Sequence, residues 1–119
     1  MSSKYSLPAA PLLLLVTDRT RYGDRALEDI FLAALAGGLN MIELREADLN
    51  ARDLLGEAER LRRLALGGVP LIIYDRVDVA IAAGADGVHV SMDSLPIPAA
   101  KQAGRNRIVV APASTGAAT

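Results

Sequence analysis

Short apolar runs recur along the chain, separated by segments of helical periodicity, and this alternation restricts the fold more than any other feature. The runs are LLLLV (12–16), MIEL (41–44), LII (71–73), GVHV (87–90) and IVV (108–110). Each is nearly continuous in apolar residues, the pattern of a strand covered on both faces in a parallel sheet. Between them, Leu27, Ile30, Phe31, Ala34 and Leu35 fall on one helical stripe, which Gly37 and Gly38 close. Leu54, Leu55, Ala58, Leu61 and Ala65 form a second stripe, opened by Asn50 as an N-cap candidate and closed by Gly67 and Gly68. Residues 77–83 and 97–103 read as shorter helices stopped by Gly84 and Gly104, with Pro96 and Pro98 suited to a first turn. Asp18, Arg45 and Asp75 follow successive strands, each about one βαβ unit of roughly 30 residues after the last. The expectation is an α/β chain, a partial (β/α)8 barrel of about five parallel strands and four helices over residues 12–119, behind an N-terminal extension of residues 1–11. A doubly wound five-strand sheet is the alternative architecture.

Polar residues are placed unequally on this scaffold. Thr17 and Asp18, Arg45 and Glu46, Tyr74 and Asp75, His89 and Asp93, and Ser114 and Thr115 gather where strands end, whereas neutral glycine-containing turns precede the strands. In parallel α/β folds the strand C-termini are where loops converge on a ligand. The chain lacks GxGxxG and GxxxxGK[ST], so neither a dinucleotide fingerprint nor a phosphate loop has direct support. A net charge of −1 gives no basic footprint for nucleic acid or a membrane surface. The absence of cysteine excludes disulfides, thiolate metal sites and cysteine nucleophiles, and suits a cytoplasmic setting. The segment LPAAPLLLLV superficially resembles a signal peptide, but Thr17–Asp18–Arg19 follows where small residues would mark cleavage, so a buried strand is the better reading. No run approaches the roughly 20 apolar residues of a membrane helix.

Several rim residues are candidates for chemistry. Arg45 ends an apolar strand, and its planar fork suits phosphate or pyrophosphate; the plainer role is an ion pair with Glu43 or Glu46. Asp75 is either the N-cap of the helix beginning near Val77 or a Mg2+ ligand. A magnesium site needs a second carboxylate, and Asp93, after the next strand, precedes Asp18 in order of preference. His89 sits among apolar neighbours, where a backbone-bonded role outweighs acid–base work. Ser114 and Thr115 are possible anion donors.

LLLVTDR (13–19), LAGGLNMIELRE (35–46) and LIIYDRVDVAIAAGADGVHV (71–90), with the SLP that follows, resemble thiamine-phosphate synthase and the related thiazole tautomerase branch. The resemblance covers residues 12–110. It implies a (β/α)8 barrel that joins an aminopyrimidine diphosphate to a thiazole phosphate and releases pyrophosphate with Mg2+. By position, Arg45 falls on the family's pyrophosphate arginine and Asp75 on its first magnesium aspartate. Glu43 stands where the family usually has glutamine in the pyrimidine site, and His89 matches the histidine of GVH. Tyr74 replaces an asparagine and Ala47 a lysine; Ser94 aligns with the second magnesium aspartate, for which Asp93 is a neighbouring substitute. Ser114 matches a serine after strand five, but the histidine of that G-x-S-x-H motif has no counterpart. The expected substrate-binding set is therefore Glu43, Arg45, Tyr74, His89 and Ser114, with Asp75 and Asp93 for metal. Because the resemblance implies eight βα units, the chain reads as a truncated or degenerate copy. Two other readings stand beside it. One is a non-catalytic half barrel that pairs with itself or a complementary half; the other is a tautomerase-like isomerase using His89 or Glu43 as base.

Overall fold

The structure, a computed structural model, describes residues 13–65, 68–91, 93–105 and 109–112. The N-terminal extension 1–11, Ser114 and Thr115 lie outside the described residues. In chain order the elements are β1 (Leu14–Val16), a 3-10 turn (Arg19–Arg21), α1 (Leu27–Ala36), β2 (Met41–Leu44), α2 (Ala51–Ala65), β3 (Leu71–Tyr74), α3 (Val77–Ala83), β4 (Gly87–Val90), α4 (Ile97–Gly104) and β5 (Val109–Pro112).

The five strands form one parallel sheet in the order β1-β2-β3-β4-β5. A sequential order with no reversal is the winding of a β/α barrel rather than of a doubly wound sheet. Right-handed crossovers between neighbours taken in sequence deliver every helix to the same face. Ile42, Leu44, Leu71, Ile73, Val88 and Val90 lie on that face and join Leu27, Phe31, Leu54, Ala58, Leu61, Val77, Ala80 and Ala100 in one core. Phe31 is fully buried, and its transfer from water contributes about 1.5–3 kcal/mol. The opposite face carries Leu14, Val16, Met41, Glu43, Ile72, Tyr74 and His89, set side by side by the strand register. None of these seven belongs to the helix-side core. Helices pack one face of the strands, and on the other face Met41 and Glu43 are buried while Leu14 and Val16 are exposed.

Helix ends follow local chemistry with two exceptions. The Asn50 side chain accepts the Asp53 N–H at 2.9 Å and caps α2 as expected. Gly84 ends α3 in the left-handed region at φ +64, the conformation that favours glycine. A Cβ there would also sit 3.1 Å from the Arg62 guanidinium, which donates to the Ala83 carbonyl at 2.8 Å. Gly84→Ala is expected to cost about 1–2 kcal/mol, read as a lower denaturation midpoint. Gly104, in contrast, remains helical and buried, and Arg105 takes the left-handed position at φ 51. The second exception is Asp75: Arg76, not Asp75, is the N-cap of α3.

Candidate functional site

The adjacent charges Arg45 and Glu46 point to opposite faces of the sheet. Glu46 continues the alternation of Ile42 and Leu44 and is buried, whereas Arg45 follows Met41 and Glu43 and is exposed. The Glu46 carboxylate receives the backbone N–H of Arg19 at 3.1 Å to each oxygen and the Arg19 Nε–H at 3.2 Å. The other arm of that guanidinium donates to Asp48 at 2.8 Å. This hydrogen bond to Asp48 is the main cause raising the Arg19 pKa, with the charges of Asp48 and Glu46 adding to it. Thr17, 1% exposed, completes the junction. Its N–H donates to the Glu43 carbonyl, and its Oγ accepts the Arg45 N–H, both at 3.0 Å. The TDR segment after β1 and the LRE segment after β2 are thus one hydrogen-bonded unit. Arg45 has neither Glu43 nor Glu46 as its ion-pair partner.

The Arg45 guanidinium lies 4.1 Å from the centroid of the Tyr74 ring, a cation–π contact. Tyr74 meets His89 edge-on, with centroids 6.3 Å apart and planes at 90°. His89 is itself held at both ring nitrogens. Nε2 lies 3.1 Å from the Pro112 carbonyl, which can only accept, and Nδ1 lies 2.9 Å from Glu43 Oε1. Glu43 is 5% exposed. The structure therefore brings Glu43, Arg45, Tyr74 and His89 together as a connected row on the face away from the helices. The backbone-bonded role expected of His89 is met through Pro112, and the bond to Glu43 is additional.

A cleft of about 660 Å³ opens beside this row at the ends of β1 and β2, lined by Val16, Thr17, Asp18, Thr20, Arg21, Arg45, Glu46, Ala47 and Asp48. Within it Asp18 is already engaged. The Thr20 hydroxyl, first among several causes, holds its carboxyl below the usual carboxylate range, and Arg21 adds to this from 3.0 Å. Ala47 also lines a smaller cleft with Tyr74, Asp75 and Arg76.

Asp75 has φ +71, a left-handed conformation that is rare outside glycine but better tolerated by aspartate. Its N–H donates to the His89 carbonyl at 2.7 Å, and its carboxylate accepts the Ser94 hydroxyl. Ser94, not Asp93, is thus the side chain that meets Asp75; Asp93 is exposed and bonds through its N–H to Ser91 Oγ at 3.3 Å. Among the described residues no group of three or more histidine, cysteine or acidic side chains could hold a metal ion. No helix among them is long and apolar enough to cross a membrane.

Sequence reasoning missed the Glu46–Arg19 clamp and the Asp75–Ser94 contact. The first left a trace, because Glu46 keeps the parity of buried Ile42 and Leu44. The second left a trace only in the resemblance, which aligns Asp75 and Ser94 with the two magnesium aspartates; nothing local to Ser94 names a partner 19 residues away.

Sequential parallel strands, helices on one face and polar side chains at the strand C-termini define a β/α-barrel-type protein with a polar rim. Comparison with known proteins agrees. The chain belongs to the thiamine monophosphate synthase (TMP-TENI) family, whose profile matches residues 13–117. It is 50% identical over 86 residues to the thiamine-phosphate synthase of Roseiflexus sp. (strain RS-1), covering 71% of this chain and 36% of that protein. It is 46% identical over 91 residues to the thiamine-phosphate synthase of Albidiferax ferrireducens, covering 76% and 42% respectively. Among solved structures, a thiamine phosphate pyrophosphorylase from Pyrococcus furiosus superposes with a TM-score of 0.77 at 29% identity, covering 85% of this chain and 48% of that one. The chain thus spans less than half the length of these relatives.

Proposed function

We propose that this chain forms the diphosphate-binding part of a thiamine-phosphate-synthase-type transferase, which joins an aminopyrimidine diphosphate to a thiazole phosphate and releases pyrophosphate. The observation that carries the reading is Arg45 over Tyr74, beside a 660 Å³ cleft and one strand from Asp75. In such a reaction the carbon–oxygen bond to the diphosphate breaks, and its electron pair leaves with pyrophosphate. Negative charge then grows on the departing oxygens, where a preorganised guanidinium stabilises it. Glu43 and His89, on the same face, are proposed as the pyrimidine contacts. Ser114 is proposed as a further phosphate donor. A role on small phosphorylated substrates suits the cytoplasm.

The donor set at Asp75 fits a Mg2+ ion that arrives with a diphosphate better than a resident one. One carboxylate and the Ser94 hydroxyl provide few ligands, and Mg2+ commonly takes the remainder from phosphates and water. Asp93 would join only by displacing its present exposed position. Bound there, Mg2+ would neutralise phosphate charge. Calorimetric titration with aminopyrimidine diphosphate tests the reading. Saturable binding is expected with Mg2+ present, little heat is expected from Mg2+ alone, and Asp75→Asn is expected to remove the Mg2+ dependence. No binding of the diphosphate in either condition would overturn it.

A second reading, pairing with itself or a complementary half barrel, draws on the face away from the helices. There Leu14 and Val16 of edge strand β1 are 46% and 43% exposed. Sedimentation at several concentrations separates this reading from a monomer. The tautomerase-like reading draws less support, because both His89 nitrogens already have partners.

A further inference from the structure

We infer that Tyr74 is the positioning residue for Arg45, an aromatic platform that fixes the guanidinium for a diphosphate ligand. The inference rests on the anion-binding reading of Arg45 and adds the side chain that orients it. An exposed arginine loses considerable rotamer freedom when it grips a ligand, so a group that holds it beforehand strengthens binding. Tyr74 supplies such a group. Its ring lies 4.1 Å under the guanidinium. Stacking uses the flat face of arginine and leaves its N–H edge available to oxygen acceptors.

The platform is itself braced. Its edge meets His89, whose ring is fixed by Glu43 at 2.9 Å and the Pro112 carbonyl at 3.1 Å. Order therefore passes from two buttressed nitrogens, through one aromatic edge, to the cation. The Arg45 backbone is pinned independently by Thr17 at 3.0 Å. Main chain and guanidinium are held from different segments, the residue after β1 and strand β3. At position 47 the methyl of Ala47 offers no second cation to share the load. Arg21, the other arginine lining the cleft, is paired with Asp18 at 3.0 Å, so the orientation of the Arg45 guanidinium matters more to the affinity.

The test is titration of the full chain with inorganic pyrophosphate and Mg2+, comparing wild type with Tyr74→Phe, Tyr74→Trp, Tyr74→Leu and Tyr74→Gln. Phe and Trp are expected to retain affinity, and Leu and Gln to weaken it about fivefold. The loss of a cation–π contact explains that pattern, whereas the loss of mere bulk would spare Leu. A second readout uses wild type alone. The Arg45 side-chain protons should resonate upfield from ring current, and should stay so when pyrophosphate is added. Return of those resonances to ordinary positions on binding would show that the ring competes with the ligand, and would overturn the inference. So would wild-type affinity in a folded Leu or Gln variant, with the anion site itself left standing. A wild-type chain that does not bind pyrophosphate overturns the anion site and the platform together.

Discussion

Replacing Arg45 with alanine is expected to weaken Mg2+-pyrophosphate binding about tenfold to a hundredfold, the range of one or two lost charge-assisted hydrogen bonds. The stability of the fold should barely change. Arg45 is exposed, its partner ring belongs to a strand packed by α3, and its backbone N–H to Thr17 survives the substitution. Arg45→Lys should fall between wild type and alanine, because an ammonium keeps the charge but loses the fork and the flat stacking surface. Titration at two salt concentrations adds a check. Wild-type affinity should fall as salt screens the exposed cation, and the alanine variant should respond less. An alanine variant that binds as wild type would remove Arg45 from the site.

The second large effect concerns stability. Glu46→Ala is expected to destabilise the chain by about 2–3 kcal/mol, seen as a lower denaturation midpoint. Its side chain is 2% exposed and accepts three hydrogen bonds from Arg19. Removing it leaves the Arg19 N–H without that acceptor and opens a void behind the strand ends. The effect lies below the full cost of breaking a buried pair because the Arg19 side chain is 33% exposed and can turn to water or Asp48. Glu46→Gln should cost less, since an amide oxygen of the same shape can still receive the Arg19 N–H. Binding should suffer with the alanine variant too, because the clamp and Thr17 together set where the β1 and β2 segments end. Equal stability of Glu46→Ala and wild type would mean the junction holds without the clamp.

The pairing of these two neighbours shows what an amino-acid sequence reveals about such a rim. Periodicity alone marked Arg45 as lying at the end of an apolar strand, and the strand rise makes consecutive side chains alternate between faces. Which face is packed by helices depends on the order in which strands associate, and that order is not a local property. With β1 to β5 in sequence and right-handed crossovers, the face bearing Glu46 is the packed one and the face bearing Arg45 is open. The ion pair that adjacency suggests for Arg45 and Glu46 therefore does not form. Asp75 makes the same point. Its position before α3 suggests a cap, but its left-handed backbone and the Ser94 hydroxyl turn the carboxylate toward the β4 segment instead.

By itself, the sequence determined the order and approximate limits of the strands and helices. Asn50 as a cap, Gly84 as a stop and the apolar stripes of α1 and α2 act within a few residues, where backbone sterics and side-chain hydrogen bonds are local. It also determined the family, and with it the expectation of anion chemistry at Arg45. Tertiary structure decided the hydrogen-bond partners: Glu46 with Arg19 across 27 residues, Asp75 with Ser94 across 19, and Glu43 with His89 across 46. Glu43 and His89 meet through strand register, and the other two pairs join segments that follow the strands, Arg19 after β1 to Glu46 after β2 and Asp75 after β3 to Ser94 after β4. A shift of one residue in register would send Glu43 or His89 to the opposite face.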